Sequence, residues 1–371
     1  MKIAIYGTGE YAHRLLNCLK SDTEIVYFVE SNPSEKYCEG KKILRADEIN
    51  TDDFQYLVIA VAAHDEIVSH LNSVFDDYNN TVGKKVINFS DFICNVLNYF
   101  ECEIVSTTEG LQYICEKNDL AMRKAMLETG KTFSYDQIKK FFELTDRHYG
   151  KRKRNGIFLD IGANIGTTSI YVKKLINPDL RIIGFEPCKR IWKLFRANCI
   201  LNDAEDIQAM NYGVGSKNGT EQFFFSIVNP GGSGLKREID LPDREYIEDV
   251  DIIALDYYLE TNNITADEID YIWLDVEGFE SEVIKGAMKT LTSKKIPFIQ
   301  EFNPLDYTDW ETYEENIKSV YDNFIVVDEC GIDNKDTDII YSTSQLKEYA
   351  DKLLEFQSIK KAQVWADLFF F

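Results

Sequence analysis

Two stretches of the chain run through the same succession of apolar and polar positions. Each opens on an unbroken apolar run, passes a glycine-bearing turn, continues with apolar residues at helical spacing, and ends on a second apolar run closed by an acid. The first is KIAIYGTGEYAHRLLNCLK followed by EIVYFVES, and the second is GIFLDIGANIGTTSIYVKKL followed by RIIGFEP. Unbroken apolar runs suit parallel strands covered on both faces. Strand, glycine turn, helix and second strand make the opening βαβ unit of a doubly wound sheet. The pattern predicts an α/β protein with two doubly wound, Rossmann-like domains.

The first unit continues with FQYLVIAVAA as a buried strand, DEIVSHLNSVF as a helix and KKVINFS as a further strand, which gives a domain over residues 1–98. TEGLQYICEKN, AMRKAMLE and SYDQIKKFFELTDRHY carry helical periodicity, and Ser134 with Gln137 resembles a capping box. Residues 99–154 therefore read as a helical connector. The second domain is predicted over residues 155–345, with strands in IDYIWL and PFIQEF and a closing hairpin from FIVVDECG and DIIYSTS. Residues 346–371 read as a helix with an aromatic tail, DLFFF. An exposed run of this kind is unusual, so the tail is expected to pack on its own chain or on a second copy in a homo-oligomer.

The net charge of −22 repels phosphate backbones, which argues against a nucleic-acid partner. The basic run Lys151-Arg152-Lys153-Arg154 reads as a solvated linker. No apolar run is long enough for a transmembrane segment, and the opening residues read as a strand rather than a signal peptide. The eight cysteines form no CxxC pair and no zinc spacing. They read as reduced thiols, in keeping with a cytoplasmic protein.

The turn Asp160-Ile161-Gly162-Ala163-Asn164-Ile165-Gly166 is the most informative segment. Gly162 admits a backbone shape denied to side chains and lets a ligand approach the main chain. Asp160 would repel a dinucleotide pyrophosphate, but it suits the ammonium and sulfonium of S-adenosylmethionine. Glu186 closes the next strand, where an acid can accept hydrogen bonds from both ribose hydroxyls. Asp275-Val276-Glu277-Gly278 ends a later strand, and Glu301 ends the one after it. Ligands of an open parallel sheet sit beyond these strand ends. Asp275, Glu277 and Glu301 are thus candidate catalytic acids, placed to accept a hydroxyl proton or to share a divalent metal. The bland reading is that some of them only cap the following helix. His148 reads as a packing histidine rather than a base, and the loop Asn229–Gly234 as either a lid or a plain hairpin connection.

FLDIGANIGTTSI, GFEP, NCILN, the ALDYYLE strand, IDYIWLDVEGFESEVIKGA and PFIQEF, in that order over residues 155–302, resemble the FkbM family of methyltransferases. The resemblance implies a seven-stranded class I methyltransferase fold. It also implies S-adenosylmethionine as methyl donor and O-methylation of a small-molecule or glycan acceptor, as in polysaccharide biosynthesis. On it, Asp160, Gly162, Asn164, Gly166 and Glu186 match cofactor-binding positions, and Asp275 and Glu277 match the acidic turn beside the transferred methyl. The chain departs from the family pattern in having Trp273 where a lysine is common, and in lacking a histidine near Asn303.

In the first domain Gly7, Gly9 and Glu30 occupy G-x-G-x-x-A and ribose-acid positions, a second candidate nucleotide site. This half is similar to the nucleotide-binding-like domains that precede transferases in polysaccharide biosynthesis. Two other functions remain open on the sequence: an NAD(P)-dependent sugar oxidoreductase or epimerase centred on the first domain, and a non-catalytic scaffold.

Overall fold

The computed structural model describes residues 1–19, 23–61, 64–89, 92, 102–117, 119, 121–151, 155–226, 234–235, 244–307, 309–329, 338–360 and 365–371. Cys94, most of the basic run at 151–154 and most of the loop Asn229–Gly234 lie outside them.

The first repeat folds as its pattern predicts. Strands β1 (Lys2–Tyr6), β2 (Glu24–Glu30), β3 (Tyr37–Cys38), β4 (Lys41–Arg45), β5 (Tyr56–Ile59) and β6 (Val86–Asn88) form one sheet in the order β3-β4-β2-β1-β5-β6. β1 pairs in parallel with β2 on one side and β5 on the other. Ile3, Ala4 and Ile5 are fully buried, as expected for a strand covered on both faces.

Residues 99–154 are not wholly helical. β7 (Cys102–Ser106) and β8 (Gln112–Glu116) make an antiparallel hairpin before the helices Met122–Thr129 and Tyr135–Tyr149. The reason lies on the helix Lys189–Leu201, where Asn198 and Asn202 stand one turn apart on one face. Asn202 accepts from the Gln112 amide at 3.0 Å and donates to its carbonyl at 2.7 Å. Asn198 does the same for Ile114, at 2.7 and 3.3 Å. Two side-chain amides thus take the place of a neighbouring strand along β8. Ser134 precedes the second helix but makes no side-chain cap, since its backbone turns left-handed at φ 57°.

The second repeat builds the largest sheet from β9 (Ile157–Ile161), β10 (Arg181–Phe185), β11 (Gln208–Met210), β16 (Ile269–Leu274), β17 (Phe298–Phe302), β18 (Asn323–Glu329), β19 (Ile340–Ser342) and β20 (Ala366–Phe370). The order is β11-β10-β9-β16-β17-β20-β18-β19. A smaller sheet of β12 (Gly213–Gly215), β13 (Gly219–Ser226), β14 (Gly234–Leu235) and β15 (Arg244–Ala254) lies beside it. ALDYYLE is not a strand: it leaves β15 as the helix Leu255–Thr261.

Two features correct the sequence reading. The sheet has eight described strands rather than seven, because β19 pairs antiparallel with β18 and extends its edge. The aromatic tail packs on its own chain, the first of its two expected placements, but as a strand of the large sheet rather than a separate unit. It forms β20, antiparallel to both β17 and β18, with Leu368, Phe369 and Phe370 fully buried. Among the described residues no helix is long and apolar enough to cross a membrane.

Phe370 stacks on Phe298 with ring centroids 5.6 Å apart. Replacing it with alanine is expected to cost about 3–5 kcal/mol, the range for a buried aromatic, measured as a lower urea midpoint at unchanged slope. A tolerant variant would show that the strand is dispensable.

Candidate active site

The register of the central strands assembles the site. Ile161 of β9 pairs with Phe185 of β10 and with Leu274 of β16, so the three strands end level. The next residues, Gly162, Glu186 and Asp275, therefore meet at one edge. Sheet order diverges on either side of β9, which opens the crevice where ligands of such sheets bind. A cavity of about 510 Å³ occupies it.

Gly162 (φ 90°) carries the closest contact in this crevice. A Cβ there would lie 1.7 Å from the Asp275 carbonyl oxygen. Its freedom is used by the protein's own chain, which bonds Asp275 N to Ile161 O at 2.9 Å. Asn164 follows at φ 50°, a left-handed shape that asparagine tolerates, and its amide donates to Glu186 Oε2 at 3.1 Å. Cys188 N donates to the other carboxylate oxygen at 2.8 Å. Glu186 is 6 % exposed, and burial pushes its carboxyl up to about 8 against these two donors. Gly162, Asn164 and Glu186 all line the cavity, and Pro187, Ile191, Tyr212 and Phe279 add apolar wall.

Asp160 and Gly166 stand behind this wall and do not line the cavity. Asp160 is 1 % exposed and accepts from Ser169 Oγ at 2.5 Å, which ties β9 to the helix Thr167–Tyr171. Burial pushes its carboxyl up to about 7. A donor on its own chain thus takes one oxygen of the carboxylate that the sequence reading turned towards a bound cation. Gly166 makes room for Phe195, whose ring a Cβ would meet at 2.1 Å.

The acidic turn forms the other end of the cavity. Glu280, buried, accepts from the amides of Val276 and Gly278 at 3.2 and 3.1 Å and so fixes the loop. Glu277 is held at φ 53°, a strained shape for this residue of the kind that clusters at functional sites. Asp275, Glu277 and Glu301 each present an oxygen within 4.8 Å of the others. Asp275 and Glu301 lie side by side, close enough for one carboxyl to donate to the other. Burial raises both, and the Asp275 and Glu277 charges push Glu301 higher still. Two adjacent, partly buried carboxyls of this kind share one proton.

The sequence reading missed Gln137, Asp328, Trp365 and Asp367, which also line the cavity. Burial, then Asp275 and Asp328, push Asp367 well above the carboxylate range. FIVVDECG carried a strand-end acid that signalled Asp328; nothing local marked Asp367. His148 lies against Phe371, ring centroids 3.9 Å apart, as a packing histidine. In the first sheet Gly7 (φ 105°) turns against Val61 and Ala60, and Gly9 precedes the helix Glu10–Cys18. The Glu30 carboxylate there accepts from the Thr8 hydroxyl.

The two halves of the chain match different family models. Residues 160–331 match the model described as the Methyltransferase FkbM domain, and residues 1–81 match the C2185-like N-terminal model. Nothing in the second description concerns nucleotides or polysaccharides. Methyltransferase sdnD of Sordaria araneosa is 29% identical over 158 residues, 36% of this chain and 61% of that protein. 2-O-methyltransferase NoeI of Sinorhizobium fredii is 26% identical over 176 residues, 44% of this chain and 67% of its own length. The chain thus spans about three fifths to two thirds of the length of these relatives. Among solved structures, a methyltransferase FkbM from Methylobacillus flagellatus aligns over 100% of this chain and 90% of its own, at 14% identity and a TM-score of 0.37.

Gly162→Ala is expected to destabilise the fold by about 3 kcal/mol or more, since both the clash and the positive φ oppose it. Gly219→Ala, with no atom within 4 Å of its Cβ, should change stability by less than about 0.5 kcal/mol. Chemical denaturation of the two variants checks the pair.

Proposed function

We propose that the chain is an S-adenosylmethionine-dependent methyltransferase that methylates a hydroxyl of a sugar or glycan-biosynthesis intermediate. The observation that carries this reading is one cavity lined both by the Gly162–Asn164–Glu186 turn and by the acidic turn at Asp275, inside the segment that matches the FkbM domain. A 2-O-methyltransferase among the relatives supports a hydroxyl acceptor.

The cavity fits the cofactor by its donor set. Glu186 offers a carboxylate to the ribose hydroxyls, and Pro187, Ile191 and Tyr212 offer apolar wall nearby. When bound, S-adenosylmethionine supplies an electrophilic methyl group on a positively charged sulfur. The protein's own part is orientation and proton handling. Positioning alone contributes several kcal/mol to such a displacement. Asp275 is the base in this reading: ionised, and sharing its neighbour's proton, it accepts the proton of the acceptor hydroxyl. Glu301 keeps the pair at one negative charge before the transfer. The same three acids form an oxygen set for a divalent ion, but the bond between Asp275 and Glu301 accounts for their closeness through a proton.

A nicotinamide enzyme centred on the first sheet has less support, because the methyltransferase match lies in the second half and the model matched by residues 1–81 names no cofactor.

The reading is tested by calorimetric titration with S-adenosylhomocysteine, and with NAD as control. The ribose hydroxyls donate to the ionised carboxylate, so Glu186 must lose its proton on binding. Affinity is expected to rise as pH climbs towards about 8 and to level off above it. Glu186→Ala should weaken binding by about 1.5–3 kcal/mol, the worth of hydrogen bonds to a charged group, and Glu186→Gln should flatten the pH profile. Tight NAD binding without S-adenosylhomocysteine binding would overturn the reading.

A further inference from the structure

The antiparallel entry of β20 has a consequence for charge. Asp367 on β20 pairs with Glu301 on β17 and with Asp328 on β18. Three acids therefore lie side by side across three neighbouring strands, and all three line the cavity. Like charges directly opposite each other weaken a sheet. The register on β18 slips between Val326 and Asp328, so that two of its residues span one step of β20. A regular ladder would set Val327 opposite Asp367; the bulge sets Asp328 there instead. Bulges re-aim side chains in this way beside active sites. From the facing helix, Gln137 Nε2 donates to Asp328 Oδ2 at 2.6 Å and fixes that carboxyl. Trp365, just before β20, and Trp273, on β16, line the same cavity.

We propose that Gln137, Asp328, Trp365 and Asp367 form the acceptor subsite, and that they take a neutral sugar ring bearing no phosphate or carboxylate. This rests on the methyltransferase reading above. Carboxyl and amide groups match the donors and acceptors of ring hydroxyls, and indole faces match the apolar C–H face of a pyranose. An anionic ring meets only repulsion: the described residues that line the cavity include six acids and no lysine, arginine or histidine. A 2-amino group would meet Asp328, which already accepts from Gln137, and Asp367, whose carboxyl is held well above the usual range, so little free charge faces it. Any phosphate of a carrier-linked acceptor must then lie outside this cavity.

The test uses the full chain saturated with S-adenosylhomocysteine and saturation-transfer NMR with a panel of methyl hexosides, the corresponding 2-amino sugars, hexuronates and hexose phosphates. At least one neutral hexoside is expected to bind, with its uronate and phosphate counterparts about tenfold weaker or more. Asp328→Asn and Asp367→Asn should each weaken that hexoside about fivefold while leaving S-adenosylhomocysteine affinity unchanged. Because asparagine keeps the side chain's shape while taking an acid out of a crowded row, the melting temperature should hold or rise, the opposite of what a purely structural role gives. Anionic sugars binding as well as neutral ones, a tenfold preference for the amino sugars, or a fall in melting temperature with sugar binding unchanged would each overturn the subsite. So would silence from every sugar with S-adenosylhomocysteine still bound. Failure to bind S-adenosylhomocysteine would instead overturn the methyltransferase reading itself.

Discussion

The approach of the Gly162 turn to the Asp275 carbonyl sets the spacing of the whole crevice. With no side chain at position 162, two strand ends come within contact distance, and Asp275 N reaches Ile161 O. That contact puts the acidic turn beside the glycine turn. The next residues of the glycine turn then rotate into left-handed backbone at Asn164, which aims its amide at Glu186. Any side chain at 162 would push β9 and β16 apart and undo both arrangements together. Geometry at the acidic turn and geometry at Glu186 are consequences of one missing Cβ.

The crevice concentrates carboxyl groups at a cost that the fold offsets locally. Buried acids need donors or protons. Asp160 has Ser169, Glu186 has two backbone amides, Glu280 has two more, and Asp275 and Glu301 have each other. Glu280 and Asp160 are consumed in holding the loops. Glu186 keeps an open side towards the cavity. The distinction between an acid that holds the fold and one open to a ligand is thus drawn by whether it lines the cavity, not by its place in a motif.

This explains which parts were legible in the sequence. Both βαβ openings were readable because unbroken apolar runs and glycine turns are local. Glu186 and Asp275 were readable because they follow such runs directly. Asp160 was read in the right place, but its partner Ser169 lies nine residues on, in the next helix, and no spacing rule announced it. QYICE carries no edge-strand signal; it becomes β8 because Asn198 and Asn202, some ninety positions later, supply its missing ladder. DLFFF is indistinguishable by pattern from an exposed sticky end. Its insertion between β17 and β18, and hence the presence of Asp367 and Trp365 in the cavity, depends on pairing across many tens of residues that periodicity does not encode.

That insertion also sets an order of events during synthesis. β17 and β18 leave the ribosome well before residues 366–370 and face each other across a gap that only β20 closes. Until then both present unpaired edges, the kind of surface on which chains aggregate or recruit chaperones. The crevice is likewise incomplete, since two of its lining residues arrive with the last strand. A polypeptide released before that strand would keep an open gap between β17 and β18 and lack part of the cavity wall.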